Sequence, residues 1–425
     1  MILHIDCNSF YASCEISLRP DLEGKPVVVA NCNEAGGGII LALTKEAKKL
    51  GLKRGNPIFQ VKDIINKNDV VVFPANLPKY VDISKRLMQV VKDMDIVLNF
   101  KQYSVDEFFG ELPLNDNEEL RKYATDIKQQ IKRCTGIPVS CGLSLSYTLA
   151  KVATWYAKHY NGYDGVCVLP EEKISTALKL LPINEVWGVG RRTVPIMQAM
   201  GVHTAWDFVN KPAYEVERCF KINGLHTWKE LHGEQCISID NPTIQKSIAY
   251  TRTFTYMTDD IEKLRTYISN YSAAAARKLR DQHSICGIVS TFITTNPHRD
   301  DLSQYGNIAS VKLAVSTADS MAIAKAAIQA LEKIYSKGYQ YKRAGVILNN
   351  IVTDEYIQLD FFEQSYDKHK KSKALMEAMD GLNTKFGMNS IRLASQGFET
   401  AQPNLNNFQP LRNETTNIGD IIEVH

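Results

Sequence analysis

Strand-like and helix-like segments alternate through the first 170 residues, and this pattern restricts the fold more than any other feature of the chain. The alternation predicts an α/β domain with a small inserted lobe, and it argues against an all-β fold or a helical bundle. The strand-like segments are short apolar runs at 1–7, 26–30, 70–73, 103–109 and 139–145. The helix-like segments repeat apolar residues at helical spacing, at 44–50, 78–91, 118–134 and 149–159.

Two further regions and a tail follow this domain. Residues 171–241 have helical patterns separated by short glycine turns. Residues 245–352 have the order β-α-β-β-α-β, which predicts one small sheet with two helices on a face. From about residue 353 the chain is rich in Asn, Gln and Lys and has little periodicity, so we expect residues 353–425 to form a mostly extended or disordered tail. A chain of 425 residues is long enough for two to four domains.

Charge and cysteine content indicate the class of protein and its partners. The net charge is only +3, yet residues 245–352 hold 14 basic against 8 acidic residues, an excess of +6 that favours a polyanion partner. No apolar run approaches the roughly 20 residues of a membrane span. The start, MILHID, lacks the basic region of a signal peptide. Nine cysteines occur singly and none forms CxxC, which argues against a zinc site or disulfide framework. We therefore expect a cytoplasmic protein without a membrane partner.

Acidic residues lie in two of the predicted strands. Asp6 closes the first strand, and Asp106 and Glu107 lie in YSVDEFF. Three carboxylates on neighbouring strands repel one another unless they bind cations, and Mg²⁺ prefers such oxygen ligands. Strand alternation would turn Asp106 and Glu107 to opposite faces, so both can line one site only at a bend or hairpin tip. On its own, such a pair is more often a solvated turn.

Aromatic and basic residues lie where a nucleotide would need them. Tyr11 and its neighbour Phe10 follow Asp6 at a distance suited to a strand-to-helix turn, where an aromatic ring can exclude a ribose 2′-hydroxyl. Lys151 and Lys158 are seven residues apart, so both can face an anion from one side of a helix. As isolated residues, aromatics of this kind are more often core residues and the lysines surface residues.

Six motifs in the chain occur in the order and at the spacing found in one polymerase family. From Met1 to about Leu359 the chain resembles the Y-family translesion DNA polymerases, and its later blocks STFITTNPH, YGNIASVKL and YKRAGVIL resemble the UmuC branch. The resemblance implies a multidomain α/β and α+β chain with the right-hand polymerase architecture. The implied parts are a ferredoxin-like palm (1–25 and 78–170), small fingers (26–77), a helical thumb with a helix-hairpin-helix (171–241) and a β-α-β-β-α-β little finger (245–352). The six motifs are IDCNSFYASCE, RPDLEGKPVVV, EAKKLGLKRGNP, YSVDEFF, GLSLSYTLAK and VWGVGRR.

The resemblance also implies roles for residues of the catalytic site. Asp6, Asp106 and Glu107 match the carboxylates that hold two Mg²⁺ ions, with the backbone carbonyl of Cys7 as a further ligand. Tyr11 matches the steric gate against ribonucleotides, and Phe10 is expected to pack beside it. The residues that match contacts to the triphosphate are Lys48 and Lys158.

Other matched residues imply macromolecular partners. In the motif GVGRR, the glycines Gly188 and Gly190 and the side chain of Arg191 are expected to contact the phosphates of primer-template DNA, as is Arg252 in the little finger. The tail segment Gln358-Leu359-Asp360-Phe361-Phe362 resembles the peptide that docks on the sliding clamp. The resemblance further implies a UmuD-type subunit and a recombinase filament as partners.

The implied activity is error-prone, template-directed addition of deoxynucleotides to a primer 3′-end past damaged bases, as part of the SOS response to DNA damage. A catalytically idle protein that binds DNA and the clamp and recruits others is the alternative, and the retained carboxylates count against it. A nucleotide cyclase with a palm-like sheet would have no use for the DNA-binding regions.

The fingers depart from the UmuC pattern at one position, because Leu43 stands where an arginine is usual.

Overall fold

The computed structural model describes residues 1–31, 38–239, 244–355 and 365–397, and in the last range it describes side chains from residue 370. These residues form two compact units that divide near residue 240. Among them, no helix combines the length and the apolar character needed to cross a membrane. The clamp-like motif at 358–362 lies outside the described residues.

The described elements follow the alternation that the sequence predicts. The strands are β1 (Ile2–Cys7), β2 (Val27–Ala30), β3 (Ile40–Leu43), β4 (Val71–Pro74), β5 (Leu98–Gln102), β6 (Glu107–Glu111), β7 (Val139–Ser144), β8 (Val166–Val168), β9 (Ile248–Thr258), β10 (Ser284–Thr295), β11 (Gly306–Thr317) and β12 (Tyr341–Thr353). The α-helices are α1 (Phe10–Ser17), α2 (Lys45–Lys49), α3 (Lys62–Lys67), α4 (Leu77–Lys92), α5 (Asn117–Thr135), α6 (Tyr147–His159), α7 (Glu171–Leu180), α8 (Thr193–Ala199), α9 (Ala205–Val209), α10 (Ala213–Leu231), α11 (Ile261–Asp281), α12 (Ser320–Ile334) and α13 (Ser365–Phe386).

A five-stranded sheet of order β5-β6-β1-β7-β8 organises the first unit. Its central strand β1 is antiparallel to both neighbours. Leu3 and Ile5 of β1 pack into a core with residues of α1, α4 and α5. Because side chains alternate along a strand, His4 and Asp6 point to the other face, where α6 contacts the sheet. The sheet therefore has an apolar face and a face that carries polar groups under α6.

A small lobe and a helical segment complete the first unit. The lobe is a three-stranded sheet of order β3-β2-β4 with α2 and α3. Leu43 lies in the apolar core of this lobe and is 4% exposed, so its side chain is used for packing. Helices α7 to α10 follow the five-stranded sheet and form a core with apolar residues of α6.

The second unit is built on a four-stranded antiparallel sheet of order β11-β10-β12-β9. Its element order β9-α11-β10-β11-α12-β12 confirms the predicted β-α-β-β-α-β pattern. Apolar residues of α11 and α12 pack on one face of the sheet, among them Leu264 and Leu331 against Val346 and Leu348.

The expectation of an extended or disordered tail is wrong for residues 365–386, which form helix α13. Met376 on this helix is 2% exposed. Arg280 of α11 donates two hydrogen bonds to Asp380, at 2.6 and 2.9 Å, and a third to the carbonyl of Ala318. A segment with weak periodicity can form a helix when tertiary contacts stabilise it, which explains why the sequence pattern missed α13.

Replacing Arg280 with alanine is expected to loosen α13 from the second unit. The change leaves the partly buried Asp380 carboxylate without its two charge-assisted hydrogen bonds, a loss of about 1.5–3 kcal/mol. Hydrogen exchange should then become faster in residues 372–386, while exchange in β10 stays slow. Lys373→Ala is the matched control, because its ion pair with Asp354 is more exposed. Equal exchange in both variants would show that Arg280 does not hold the helix.

Candidate active site

The three predicted carboxylates meet at one end of the five-stranded sheet. Asp6 lies directly opposite Glu107 in the antiparallel register of β1 and β6. Asp106 precedes Glu107 in a bend, and its carbonyl accepts a 2.9 Å hydrogen bond from the N–H of Cys7. The backbone N–H groups of Tyr103 and Ser104 both donate to the carbonyl of Glu107, which closes the tight connection between β5 and β6. The dipeptide therefore lies at a hairpin tip, the one arrangement in which both carboxylates can line one site.

Helix α6 lies close above these carboxylates because β7 contains a glycine there. A Cβ atom on Gly142 would lie 2.3 Å from the backbone nitrogen of Thr154, so only glycine allows this approach. From α6, the ammonium group of Lys151 reaches Glu107 Oε1 at 2.6 Å and that of Lys158 reaches Asp6 Oδ1 at 2.5 Å. The predicted shared face of the two lysines is thus directed at the carboxylates.

The carboxylates differ in how their surroundings affect protonation. Burial raises the pKa of Asp6, the charges of Glu107 and Asp106 raise it further, and Lys158 opposes them. Burial alone would raise the pKa of Glu107 too, but His4 and the Lys151 ammonium group outweigh it and lower the pKa to about 2. Asp106 accepts a 2.7 Å hydrogen bond from Ser104 Oγ. The site therefore holds concentrated negative charge that needs nearby cations.

Tyr11 follows the site at the start of α1, and its ring is supported from behind. It stacks on the buried ring of Tyr80 with centroids 4.5 Å apart and planes 18° apart. Phe10 is buried, with its ring centroid 5.9 Å from that of Tyr11. Burial and the charge of Asp106 raise the pKa of the Tyr11 hydroxyl, and Arg54 opposes them. Tyr11 is thus a firmly placed aromatic ring near Asp106.

A buried ion pair holds Tyr80, the residue whose ring stacks on Tyr11. Glu15 accepts hydrogen bonds of 2.7 Å from the Tyr80 hydroxyl and 2.7 Å from Lys79 Nζ. Glu15 and Lys79 are each 6% exposed. The pair fixes the Tyr80 ring against Tyr11. Glu15 lies in the motif IDCNSFYASCE, but neither that motif nor the periodicity of the chain predicts this role.

Glu15→Ala is expected to destabilise the first unit by about 3–5 kcal/mol, because it breaks the buried ion pair between Glu15 and Lys79. Thermal unfolding of the full chain should show a lower midpoint for the transition of this unit. In the double variant Glu15→Leu/Lys79→Met most of the lost stability should return, since both charges are replaced by apolar groups. Arg19→Ala is the control, because its ion pair with Asp21 is exposed and should have no measurable effect. A Glu15→Ala protein as stable as the Arg19→Ala control would contradict the assignment.

The remaining predicted residues lie outside this cluster. Lys48 is exposed on α2, and within the described residues no ion pair joins it to the carboxylates. Gly188 has a φ of +90° in the loop before α8, and a Cβ there would lie 2.7 Å from Thr227 Oγ1. Gly190 and Arg191 are exposed in the same loop. Arg252 lies on the helix-covered side of β9, where it donates a 2.8 Å hydrogen bond to the hydroxyl of Tyr250.

Trp187 lies next to this loop and contacts residues beside the carboxylates. The sequence patterns did not assign it a role. Its Nε1–H donates to the hydroxyl of Tyr103 at 3.2 Å. Lys151 Nζ lies 5.2 Å from the Trp187 ring and 4.9 Å from the Tyr103 ring, in cation–π range. The loop that contains Gly188 and Gly190 is therefore linked through Trp187 to Lys151, the residue that binds Glu107.

Comparison with known proteins places the chain in a family. The model of the impB/mucB/samB family matches residues 5–155, the model of that family's C-terminal domain matches 245–361, and a domain of unknown function, DUF4113, matches 373–424. The chain is 36% identical to the protein UmuC of Salmonella typhimurium over 396 residues, which covers 92% of each chain. It is 25% identical to DNA polymerase IV 1 of Bacillus subtilis, again over 92% of each.

Among solved structures, a chimera of the Y-family DNA polymerases Dbh and Dpo4 has the same fold, with a TM-score of 0.66 and 22% identity. The match covers 83% of this chain and 99% of the chimera. The right-hand polymerase fold predicted from the motifs is thereby confirmed. The chain belongs to the impB/mucB/samB family and is a UmuC-type member of the Y-family DNA polymerases.

Proposed function

We propose that this protein is an error-prone translesion DNA polymerase that transfers nucleotides by a two-metal-ion mechanism. The observation that carries the proposal is the pairing of Asp6 with Glu107 in register, with Asp106 at the adjoining hairpin tip. Phosphoryl transfer needs positioning and electrostatic stabilisation more than covalent chemistry, and a compact group of carboxylates at a sheet edge suits that need.

The donor atoms present fit divalent cations. Oxygen atoms of Asp6 and Glu107 lie within 4.8 Å of each other. Two lysine ammonium groups already bind these carboxylates, so the site accommodates positive charge. A set dominated by carboxylate oxygens is the kind that Mg²⁺ prefers.

The proposed mechanism assigns a role to each predicted residue of the site. Asp6, Asp106 and Glu107 would hold two Mg²⁺ ions, with the carbonyl of Cys7 as a further ligand. Bound Mg²⁺ would activate the primer hydroxyl and stabilise the leaving pyrophosphate. Lys158 lies at the edge of the site, 32% exposed, and would bind a triphosphate oxygen. Lys48, exposed on α2, would bind the triphosphate from the fingers.

The nucleotide sugar would be selected by shape. Tyr11 would lie against the deoxyribose and leave no space for a 2′-hydroxyl, while Phe10 fixes the helix beneath it. The small lobe would cover the base pair loosely, so discrimination by shape would be low and damaged bases would fit. Such a site would allow lesion bypass at the cost of accuracy.

DNA would be held by backbone contacts that carry no sequence information. We assign residues 1–25 and 78–170 to the palm, 26–77 to the fingers, 171–241 to the thumb and 245–352 to the little finger. Gly188, Gly190 and Arg191 would contact phosphates from the thumb, and Arg252 would contact them from β9, which lies at the edge of the little-finger sheet. The sheet face opposite the helices of the second unit adds Arg343 and Lys312, which the sequence analysis did not single out.

Further partners follow from the family. The motif Gln358–Phe362 would dock on the sliding clamp, and a UmuD-type subunit and a recombinase filament would act with the polymerase. The resemblance to the UmuC branch supports these assignments.

Primer extension on an undamaged template and on one with an abasic site tests the proposal. We expect Mg²⁺-dependent extension past the abasic site, no extension with a chelator, and longer products when the clamp is added. Binding of primer-template without extension of either template would favour the recruitment function instead. Extension that always stops at the abasic site would contradict translesion synthesis.

A further inference from the structure

His4 is a buried histidine to which the proposed mechanism gives no role. It lies on β1 two residues before Asp6, and so it faces the same side of the sheet. The residue is 2% exposed, and its ring packs against Phe109 with centroids 4.6 Å apart. Buried polar atoms nearly always have hydrogen-bond partners, so each ring nitrogen should have one.

The two ring nitrogens of His4 have different surroundings. Nδ1 lies 2.8 Å from Thr154 Oγ1 on α6. Nε2 is buried and has no hydrogen-bond partner among the described residues. It is directed at Glu107 Oε1, 3.6 Å away, which a small rotation of the ring would bring into hydrogen-bond range.

The contacts of the two nitrogens decide where the imidazole proton lies. A neutral imidazole carries one N–H, and the bond made by one nitrogen decides which of the two holds the proton. The partner of Nδ1 therefore determines what Nε2 presents to Glu107.

Thr154 has one hydroxyl proton and two acceptors within reach. If it donates to the carbonyl of Ala150, 3.0 Å away, Nδ1 must hold the imidazole proton. The Nε2 lone pair would then face the Glu107 carboxylate, and two buried acceptors would be in contact. If Thr154 donates to Nδ1, the proton moves to Nε2 and faces the carboxylate. The second arrangement is favoured because an N–H in a buried site is strongly attracted to a carboxylate.

We propose that His4 is a positioning residue whose Nε2–H donates to Glu107 and orients this carboxylate for divalent-ion binding, with Thr154 fixing the tautomer. The inference rests on the proposed function, since it concerns Glu107 as a metal ligand. Lys151 binds the same oxygen from α6, so Glu107 is held from both the sheet and the helix. Groups that orient a metal ligand in this way typically change metal affinity or activity by about 10–100-fold when they are removed.

Four variants separate this role from a structural one. His4→Phe keeps the ring on Phe109 and removes both nitrogens, and Thr154 can still donate to Ala150. His4→Gln restores an N–H donor. Thr154→Val removes the hydroxyl that fixes the tautomer. Thr148→Val is its matched control on the same helix, because Thr148 is equally buried and its hydroxyl has no hydrogen-bond partner within the described residues.

The dissociation constant of Mn²⁺ from the free protein, followed by electron paramagnetic resonance, is measured beside kcat for primer extension and the thermal midpoint. We expect His4→Phe to weaken Mn²⁺ binding and lower kcat about 10-fold or more, at an unchanged or higher thermal midpoint. Thr154→Val should also have weaker Mn²⁺ binding and a lower kcat. His4→Gln should show a smaller loss of both, and Thr148→Val should keep the wild-type values.

Other results would overturn the inference. These are wild-type Mn²⁺ affinity in His4→Phe, equal behaviour of Thr154→Val and Thr148→Val, or a nitrogen coupling that shows His4 bound directly to Mn²⁺. If His4→Phe does not fold, the comparison of the two threonine variants decides. A wild-type protein that neither binds Mn²⁺ nor extends primers would instead contradict the proposed function itself.

Discussion

Asp106→Ala is expected to reduce primer extension by about 10³-fold or more while DNA binding stays nearly unchanged. The substitution removes a carboxylate from the hairpin tip, where its charge acts on both Asp6 and Tyr11. The site would lose part of the negative charge that holds cations against the reacting phosphate, and electrostatic stabilisation of this kind is usually the largest catalytic term. Single-turnover extension and fluorescence anisotropy with labelled primer-template measure the two quantities.

Two companion variants make this result specific. Asp106→Asn keeps the shape and the hydrogen bond from Ser104 but removes the charge, so it should be nearly as inactive. Asp126→Asn makes the same chemical change on the exposed surface of α5 and should behave as wild type. Retained extension in Asp106→Ala would remove Asp106 from the metal site.

Tyr11→Ala is expected to raise the use of ribonucleotides relative to deoxynucleotides by roughly 10- to 200-fold, the range that one small group in a packed site contributes to discrimination. The ring is held in place by its stacking on Tyr80, so its removal opens a defined space beside the sugar. The ratio of kcat/KM for matched ribo- and deoxynucleoside triphosphates measures the effect.

Tyr11→Phe is the matched control for this substitution. It keeps the ring and the stacking on Tyr80 and loses only the hydroxyl, so discrimination should remain. An unchanged ratio in Tyr11→Ala would exclude the ring as the sugar gate, whatever happens to the overall rate.

Strong local signals allowed much of the fold to be predicted. The helix expected at 118–134 occurs as α5, Asn117–Thr135, because Asp116 caps its start and Gly136 ends it. Elsewhere the patterns were weak or misleading, and the predictions drawn from them were wrong. The strand expected at 103–109 begins only at Glu107, since the preceding residues form the hairpin tip. Helix α13 was missed because its stability comes from contacts such as that of Arg280 with Asp380.

The site was predictable only where a motif marked it. The carboxylates and Tyr11 lie in motifs with a family resemblance, and Lys158 matches the family seven residues after the end of such a motif. The structure brings Asp6, Glu107 and Lys158 together. The supporting contacts are not marked in this way. Glu15 lies in the first motif, but its bond to Tyr80 joins residues far apart in the chain. His4 cannot be distinguished from an ordinary strand residue until its contact with α6 is known. Their roles arise from tertiary contacts that no local pattern encodes.

A crystal structure of the full chain with primer-template DNA, a non-hydrolysable deoxynucleotide and Mn²⁺, recorded to show anomalous scattering, would locate the catalytic ions. We expect two metal peaks bound by Asp6, Asp106 and Glu107 next to the triphosphate. Metal peaks that lie away from these three side chains, with DNA and nucleotide bound, would contradict this expectation.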